Sequence, residues 1–223
     1  MERAGDHGAE ESRASCAGSI YSAQVSITAI VPLKALHRSK QRLAGHLDDG
    51  ERAALMARLF THVVGVCAAA SAITDVCAVV GDEHGAALAR GAGVTWLREP
   101  TAELNAAVAH ATDRISGDAS LVVVADLPRL TVTDIDRVAA AGAVGPAVVV
   151  ARTHDGGTGA LLRRPADVIE PAFGPASAAA HLAAGQRVGV RTVLLSTSGL
   201  VHDVDRAGDL HRYAGILGRP GAT

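Results

Sequence analysis

The amino-acid sequence predicts a single α/β domain, built on a mostly parallel mixed sheet with helices on both faces. Apolar runs that are typical of buried strands alternate with segments of helical periodicity along almost the whole chain. No internal repeat or linker divides that alternation, and 223 residues is an ordinary size for one domain. Because strands that alternate with helices pair in parallel, the helices must cover both faces of the sheet.

The first half of the chain contains three predicted strands. Residues 25–32 form the first apolar run. Asp48 begins a long helix, since Glu51 follows three residues later as in a capping box, and Leu55, Leu59 and Val63 give that helix an apolar face. Residues 73–80 predict the second strand, residues 83–91 a short helix that ends at a glycine, and residues 94–97 the third strand.

The second half continues the same alternation. Residues 104–115 have helical periodicity, and residues 121–125 form a fully apolar strand that ends at Asp126. Thr133 is predicted to cap the next helix, with Asp136 three residues later and Gly142 past its end. Strands follow at 147–151 and 188–195, with a short apolar piece at 160–162 and helices at 177–185 and 206–217.

Composition limits the function classes. Residues 1–24 are small and polar, which predicts a disordered extension before a domain at residues 25–218. A net charge of −2 and 2% aromatic residues argue against nucleic-acid binding, and no uninterrupted apolar stretch is long enough for a membrane span. Cys16, Cys67 and Cys77 lack metal-ligand spacing, which indicates reduced thiols and a cytoplasmic protein.

Lysine is confined to one loop. Lys34 and Lys40, the two lysines among 21 cationic side chains, both follow the first predicted strand. A compact ammonium at the carboxyl end of a first strand is suited to a polyphosphate, because ligands of such sheets bind at that edge. Chance clustering on a solvated loop is the alternative interpretation.

Carboxylates also follow predicted strands. Asp126 leaves a buried strand directly and precedes Pro128, which favours a Mg²⁺ ligand over a simple loop cap. Asp203 and Asp205 alternate around Val204, so both should lie on one side of an extended segment. Either of them could share the metal with Asp126, and Asp205 could also cap the helix that follows.

Two further segments predict anion binding. The glycine turn at residues 155–161 could expose backbone N–H groups to a phosphate, or it could be a tight hairpin. The segment 173–177 leads into a helix at Ser177, where free N–H groups and the serine hydroxyl could bind a phosphate or a carboxylate. Ordinary capping by Ser177 is the alternative for that segment.

Taken in order, these motifs resemble the 2-phospho-L-lactate guanylyltransferase family, which makes a precursor of the deazaflavin coenzyme F-420. The matching segments cover residues 31–34, 40–43, 104–105, 125–128, 157–158, 173–177 with His181, and 203–210. The resemblance implies a Rossmann-like nucleotidyltransferase fold, Mg²⁺, GTP, and a small phosphorylated carboxylic acid as acceptor. Family acceptors are 2-phospholactate, phosphoenolpyruvate and 3-phosphoglycerate. A homodimer is a further open expectation.

The resemblance also assigns residues to roles. It implies that the triphosphate is held by Lys34, Lys40 and Arg42, the metal by Asp126 and Asp205, the nucleotide base by the Leu104–Asn105 segment, and the acceptor by Thr158, Gly174 and Ser177.

Departures from the family pattern leave alternatives open. The family usually has threonine at Gln41, glycine at Ala125, an acid at Ala176 and arginine at Ala180. Loss of the arginine predicts weak use of phosphoenolpyruvate or 2-phospholactate, since arginine is the usual partner of a carboxylate. The alternatives are a nucleotidyltransferase with another phosphorylated acceptor and a degenerate nucleotide-binding regulatory protein.

Overall fold

The computed structural model describes residues 25–36 and 40–213 of the chain. The predicted extension at 1–24, and the end of the domain and terminal helix beyond residue 213, lie outside the described residues. Within them the strands are β1 (Ile27–Leu33), β2 (Asp75–Val80), β3 (Thr95–Arg98), β4 (Ala119–Val123), β5 (Ala147–Arg152), β6 (Thr158–Arg164) and β7 (Arg191–Leu195). The helices are α1 (Asp49–Ala69), α2 (Glu83–Gly91), α3 (Leu104–Thr112), α4 (Val132–Ala141), α5 (Ser177–Arg187) and α6 (Ala207–Arg212).

The strands form one seven-stranded sheet in the order β3-β2-β1-β4-β6-β5-β7. Strand β6 is antiparallel to β4 and β5, and the remaining pairs are parallel. Helices α1, α2 and α4 contribute to one apolar core, and α3 and α5 to a second core. The predicted α/β domain, with a mostly parallel mixed sheet and helices on both faces, is confirmed.

Helix α1 is the longest helix of the described chain. Asp48 and Glu51 form the predicted capping box, in which each carboxylate accepts a backbone N–H of the other residue. By length and composition this helix could cross a membrane, although Arg52 and Arg58 interrupt its apolar residues, so it is not an uninterrupted apolar stretch. Its apolar face, which includes Leu59, Phe60 and Val63, is buried in the core that covers the sheet, as in a core helix.

Most element boundaries differ from prediction by one to three residues, and two of these differences involve identifiable side-chain contacts. Helix α4 is capped by Thr131 in a capping box with Asp134, two residues earlier than predicted at Thr133. The segment Thr131–Asp136 holds two overlapping copies of the same cap pattern; the first forms the cap, and Asp136 instead accepts from the Ser71 hydroxyl and the Ala72 N–H. Strand β6 extends beyond the predicted apolar piece at both ends. At its C-terminal end it includes Arg163, which is almost fully buried and donates to Ser120, Thr112 and the Ile169 carbonyl.

The connection order places a switch point in the middle of the sheet. From β1 the chain builds outward through β2 to β3, and β4 then pairs with the opposite edge of β1. Open α/β sheets bind ligands outside the carboxyl ends of the strands at such a point. The fold therefore predicts a ligand site at the loops after β1 and β4.

Candidate functional site

A cavity of about 450 Å³ lies at the carboxyl ends of β1 and β4. Its wall includes nine of the ten predicted site residues: Lys34, Lys40, Arg42, Leu104, Asp126, Thr158, Gly174, Ser177 and Asp205. Asn105, the tenth, is not part of the wall. The structure thus brings together lysines, carboxylates and hydroxyls that are up to 171 residues apart in the sequence (from residue 34 to residue 205).

The loop after β1 is held against the end of β2. The Gly81 N–H donates to the Leu33 carbonyl over 2.9 Å, and the Leu36 N–H donates to the Asp82 carboxylate over 2.8 Å. A Cβ atom on Gly81 would lie only 2.4 Å from the Ala35 nitrogen, so this approach requires glycine. The anchoring positions Lys34, which is exposed at the cavity and has no carboxylate partner within 4.0 Å among the described residues.

Lys40 is bound by the predicted metal ligands. Its Nζ atom lies 2.5 Å from Asp126 Oδ2 and 3.7 Å from Asp205 Oδ1, and its side chain is 7% exposed. Burial alone would lower the pKa of Lys40, but the carboxylates of Asp126, Asp205 and Asp203 outweigh that effect, and its pKa is raised. One ammonium therefore bridges two carboxylates, and Lys40 and Asp126 contact each other as well as the cavity.

The segment after β7 brings two more carboxylates to the cavity. The Val204 N–H donates to the Asp126 carbonyl over 3.1 Å, and the Val204 side chain is fully buried. Asp203 and Asp205 on either side of it both line the cavity, as alternation predicts. Arg42, whose side chain is 75% exposed, forms an ion pair with Asp205. The cap of α6 is Arg206, so Asp205 does not serve as the helix cap.

Negative charge is concentrated in this part of the cavity. Burial and the charge of Asp126 raise the pKa of Asp203 to about 6. The pKa of Asp155, another wall residue, is lowered because its carboxylate accepts hydrogen bonds from the Thr153 hydroxyl and the Gly157 N–H.

Glu99 also lines the cavity and was missed by the sequence prediction. It directly follows β3, so a search for polar residues just after each strand could have found it.

The carboxylates fit a magnesium ion that also binds substrate phosphates. The described residues contain no group of three or more His, Cys, Asp or Glu side chains arranged to hold a metal by themselves. Mg²⁺ is usually bound by one or two carboxylates together with phosphate oxygens and water, rather than by an all-protein cage. Asp126 and Asp205, which already converge on one cation at Lys40, are a donor set of that kind.

Backbone N–H groups play a smaller part than predicted. In the glycine turn the Gly156 N–H donates to the Thr153 carbonyl and the Gly157 N–H to Asp155, as in a hairpin between β5 and β6. At the start of α5 the Ser177 N–H donates to the Gly174 carbonyl, and the Ala178 N–H donates to the Gly156 carbonyl. The expectation of free N–H groups at both segments was therefore wrong for these amides.

Hydroxyl groups form the polar wall on that side instead. The Ser177 hydroxyl lies 3.0 Å from the Thr158 hydroxyl, which lies 3.1 Å from His181 Nδ1. All three residues are buried, and Thr158 and Ser177 line the cavity. Ser177 therefore contacts Thr158 rather than capping its helix, whose N-cap position is held by Ala176 at φ 54°.

The remaining predicted positions lie at the rim of the site. Leu104 lines the cavity, whereas the Asn105 side-chain amide donates to the Phe173 carbonyl over 3.1 Å and accepts from the Phe173 N–H over 2.7 Å. Asn105 thereby fixes the loop that precedes Gly174. Ala180 is exposed and is not part of the cavity wall. The weak use of phosphoenolpyruvate or 2-phospholactate that follows from the missing arginine stays a prediction.

Comparison with known proteins identifies relatives along most of the chain. A family model described as "Guanylyl transferase CofC like" matches residues 27–214. A phosphoenolpyruvate guanylyltransferase from Sphaerobacter thermophilus is 36% identical over 190 residues, which cover 84% of this chain and 92% of the relative. Another, from Streptomyces coelicolor, is 39% identical over 197 residues, which cover 86% of this chain and 91% of the relative.

Solved structures share the fold at lower identity. A nucleotidyl transferase from Methanothermobacter superimposes with a TM-score of 0.63 at 17% identity and covers 86% of this chain and 97% of its own. A 4-diphosphocytidyl-2C-methyl-D-erythritol synthase gives a TM-score of 0.63 at 11% identity, with 86% and 98% covered. The fold is thus that of nucleotidyltransferases.

Proposed function

Because the chain belongs to the CofC-like guanylyl transferase family, we propose that it transfers GMP from GTP to phosphoenolpyruvate and releases pyrophosphate. The observation that carries this proposal is the convergence of cationic, carboxylate and hydroxyl side chains on one cavity at the switch point of the sheet. The names of the relatives favour phosphoenolpyruvate over the other acceptors. The product fits an early step of coenzyme F-420 biosynthesis, carried out in the cytoplasm.

The cationic side of the cavity would bind the triphosphate. Lys34 offers an ammonium without a carboxylate partner among the described residues, at the edge where phosphates bind in this fold class. Lys40 and Arg42 would add to that binding once GTP and the metal compete for their present partners Asp126 and Asp205. The Leu104 side chain would contribute an apolar contact for the nucleotide, and Asn105 would keep the neighbouring loop in place.

The transfer step needs no general base. A phosphate oxygen of phosphoenolpyruvate, already anionic, attacks the α-phosphorus of GTP and forms a new P–O bond. The bond between the α-phosphorus and the bridging oxygen to the β-phosphate breaks, and pyrophosphate leaves with that electron pair. The contribution of the protein is therefore orientation of the two substrates and stabilisation of the charge that develops on the phosphates.

A divalent metal would complete the site. Asp126 and Asp205 are the residues that would hold Mg²⁺, and the metal would supply neutralisation of the phosphate oxygens. Burial and the charge of Asp126 disfavour the ionised form of Asp203, and a bound cation would favour it. Thr158, Gly174 and Ser177 would hold the acceptor on the opposite wall.

A transfer assay tests the proposal. The protein is incubated with GTP, Mg²⁺ and phosphoenolpyruvate, and pyrophosphate and the guanylylated product are measured, with 2-phospholactate and 3-phosphoglycerate as parallel acceptors. The expected result is pyrophosphate release that requires both GTP and phosphoenolpyruvate and that falls when ATP or CTP replaces GTP. Faster release with another acid would identify that acid, rather than phosphoenolpyruvate, as the acceptor. Absence of pyrophosphate with every acid would contradict a transferase function.

A further inference from the structure

A histidine lies behind the hydroxyl wall of the cavity. His181, on α5, is 0% exposed, and its ring packs edge-on against Phe173 with centroids 5.0 Å apart. Its two ring nitrogens have different partners. Nε2 lies 2.9 Å from the backbone nitrogen of Ala172, and Nδ1 lies 3.1 Å from the Thr158 hydroxyl oxygen.

These partners determine which ring nitrogen carries the proton. A backbone N–H can only donate, so Nε2 of His181 must accept from Ala172 through its lone pair. In a neutral imidazole the other nitrogen then carries the hydrogen, and Nδ1–H must donate to Thr158. Burial, followed by the charge of Arg163, lowers the pKa of His181 to about 4, so the ring is neutral near pH 7.

Because His181 donates to Thr158, the two hydroxyl groups of the wall keep one hydrogen that is not used inside the wall. Thr158 and Ser177 together have two hydroxyl hydrogens, and a single hydrogen bond of 3.0 Å joins their oxygens. If Ser177 donates to Thr158, both lone pairs of Thr158 are occupied and the Thr158 hydrogen is unused. If Thr158 donates to Ser177, the Ser177 hydrogen is unused. In both arrangements one hydroxyl hydrogen remains for a ligand, and both residues line the cavity.

The opposite tautomer would remove that hydrogen. With Nδ1 unprotonated, Thr158 would donate to His181, and Ser177 would donate to Thr158. Both hydroxyl hydrogens would then be used inside the wall, which would present only oxygen lone pairs to the cavity. An anionic ligand requires donors, so the proton position on one buried ring decides whether this wall attracts or repels it.

We propose that His181 is a positioning residue, whose Nδ1–H tautomer, imposed by the Ala172 amide, directs one hydroxyl hydrogen of the Thr158–Ser177 pair into the cavity to bind an anionic oxygen of the acceptor. The identity of the acceptor, a phosphorylated carboxylic acid, rests on the proposed function. The Gly174 N–H, which has no hydrogen-bond acceptor among the described residues, lies on the same wall and adds a second donor.

The tautomer is tested without any substrate. Imidazole ¹⁵N spectra of the uniformly labelled protein, with the signal assigned by its loss in His181→Asn, report the protonation of each ring nitrogen. The expected result is a protonated Nδ1 and an unprotonated Nε2 throughout pH 6–8. A protonated Nε2, or a doubly protonated ring in that range, would overturn the proposal.

Two substitutions separate the donor role of His181 Nδ1 from the acceptor role of Nε2. His181→Asn places an amide near the position of Nδ1 and can still donate to Thr158, whereas His181→Gln places an amide oxygen near Nε2 and can still accept from Ala172. We expect His181→Gln to raise the acceptor KM about tenfold or more, and His181→Asn to raise it much less, with the GTP KM little changed in both. His84→Gln, at an exposed position on α2, is the matched control.

The opposite ranking of the two variants would indicate that His181 has a purely structural role. If anchoring the 172–174 loop is its whole role, His181→Gln will resemble the wild type and His181→Asn will be the impaired variant, which would overturn the proposal. Should the wild type release no pyrophosphate, the proposed function fails by itself. Calorimetric titration of phosphoenolpyruvate into the wild type and both variants then decides: weaker binding selectively in His181→Gln supports the proposal, and equal binding refutes it.

Discussion

Replacement of Lys40 by methionine tests how the ammonium and the metal share the two carboxylates. Methionine approximates the volume of the lysine stem but removes the cation that lies 2.5 Å from Asp126 and 3.7 Å from Asp205. The side chain of Lys40 is 7% exposed, so solvent cannot replace most of its interactions. The variant should be less stable without metal and should regain stability when Mg²⁺ occupies the same carboxylates.

The size of the effect follows from the burial of the pair. Removing one partner of a buried ion pair costs about 3–5 kcal/mol. Because the Asp126 side chain is 21% exposed and Arg42 still neutralises Asp205, the cost should lie at or just below the lower limit of that range, at about 2–3 kcal/mol. For a domain of this size each kcal/mol shifts Tm by about 2–4 °C, which gives a fall of roughly 4–12 °C. With a millimolar Kd, 10 mM Mg²⁺ would restore about 1.4 kcal/mol.

Thermal unfolding with EDTA and with 10 mM Mg²⁺ measures both quantities for Lys40→Met and the wild type. Arg90→Met is the matched control, since Arg90 pairs with Glu83 in an exposed ion pair on α2 and should respond little to either condition. The reasoning is refuted if Lys40→Met unfolds at the wild-type temperature in EDTA. It is equally refuted if Mg²⁺ stabilises the wild type more than the variant.

The remaining predictions concern each wall of the cavity. Lys34→Ala should raise the GTP KM with little change in stability, as kinetics and thermal unfolding will report; an unchanged GTP KM would assign Lys34 to a solvated loop. Ser177→Ala should raise the acceptor KM more than the GTP KM in steady-state assays, and the reverse would move this serine to the nucleotide side. Because the pKa of Asp203 is raised from 3.8 to about 6, the folded state binds its proton more tightly. Metal-free stability should therefore fall, by at most about 3 kcal/mol, as pH rises from 4 to 6. Asp203→Asn should flatten that fall in pH-dependent denaturation, and an unchanged profile would contradict the shift.

The sequence predicted those features that depend on local patterns. The capping box of Asp48 and Glu51, the strand before Asp126 and the alternation around Val204 all follow from spacing along a few residues. The site residues could be proposed because parallel strands place their carboxyl ends at one edge of the sheet. Local patterns failed where they were degenerate, as at the overlapping cap sequences that begin with Thr131.

Contacts between distant segments could not be predicted from spacing. Lys40 and Asp126 are separated by 86 residues, and nothing local to either indicates that they pair with each other. Asn105 and Phe173 are 68 residues apart, so the structural use of that amide is visible only in the fold. Burial of Arg163 in β6 likewise depends on hydrogen-bond acceptors from other elements. The local sequence around an arginine at a strand end does not predict those acceptors.

The central claim is that the carboxylates and lysines of this cavity support metal-dependent transfer of GMP. The most direct measurement follows label from [α-³²P]GTP into the acceptor, with Mg²⁺ and phosphoenolpyruvate, in the wild type and in Asp126→Asn. Asp113→Asn, at an exposed position after α3, is the control. The account predicts labelled product in the wild type and control, and a loss of about 10²-fold or more in Asp126→Asn with the fold intact. Equal transfer by Asp126→Asn with unaltered Mg²⁺ dependence would contradict it.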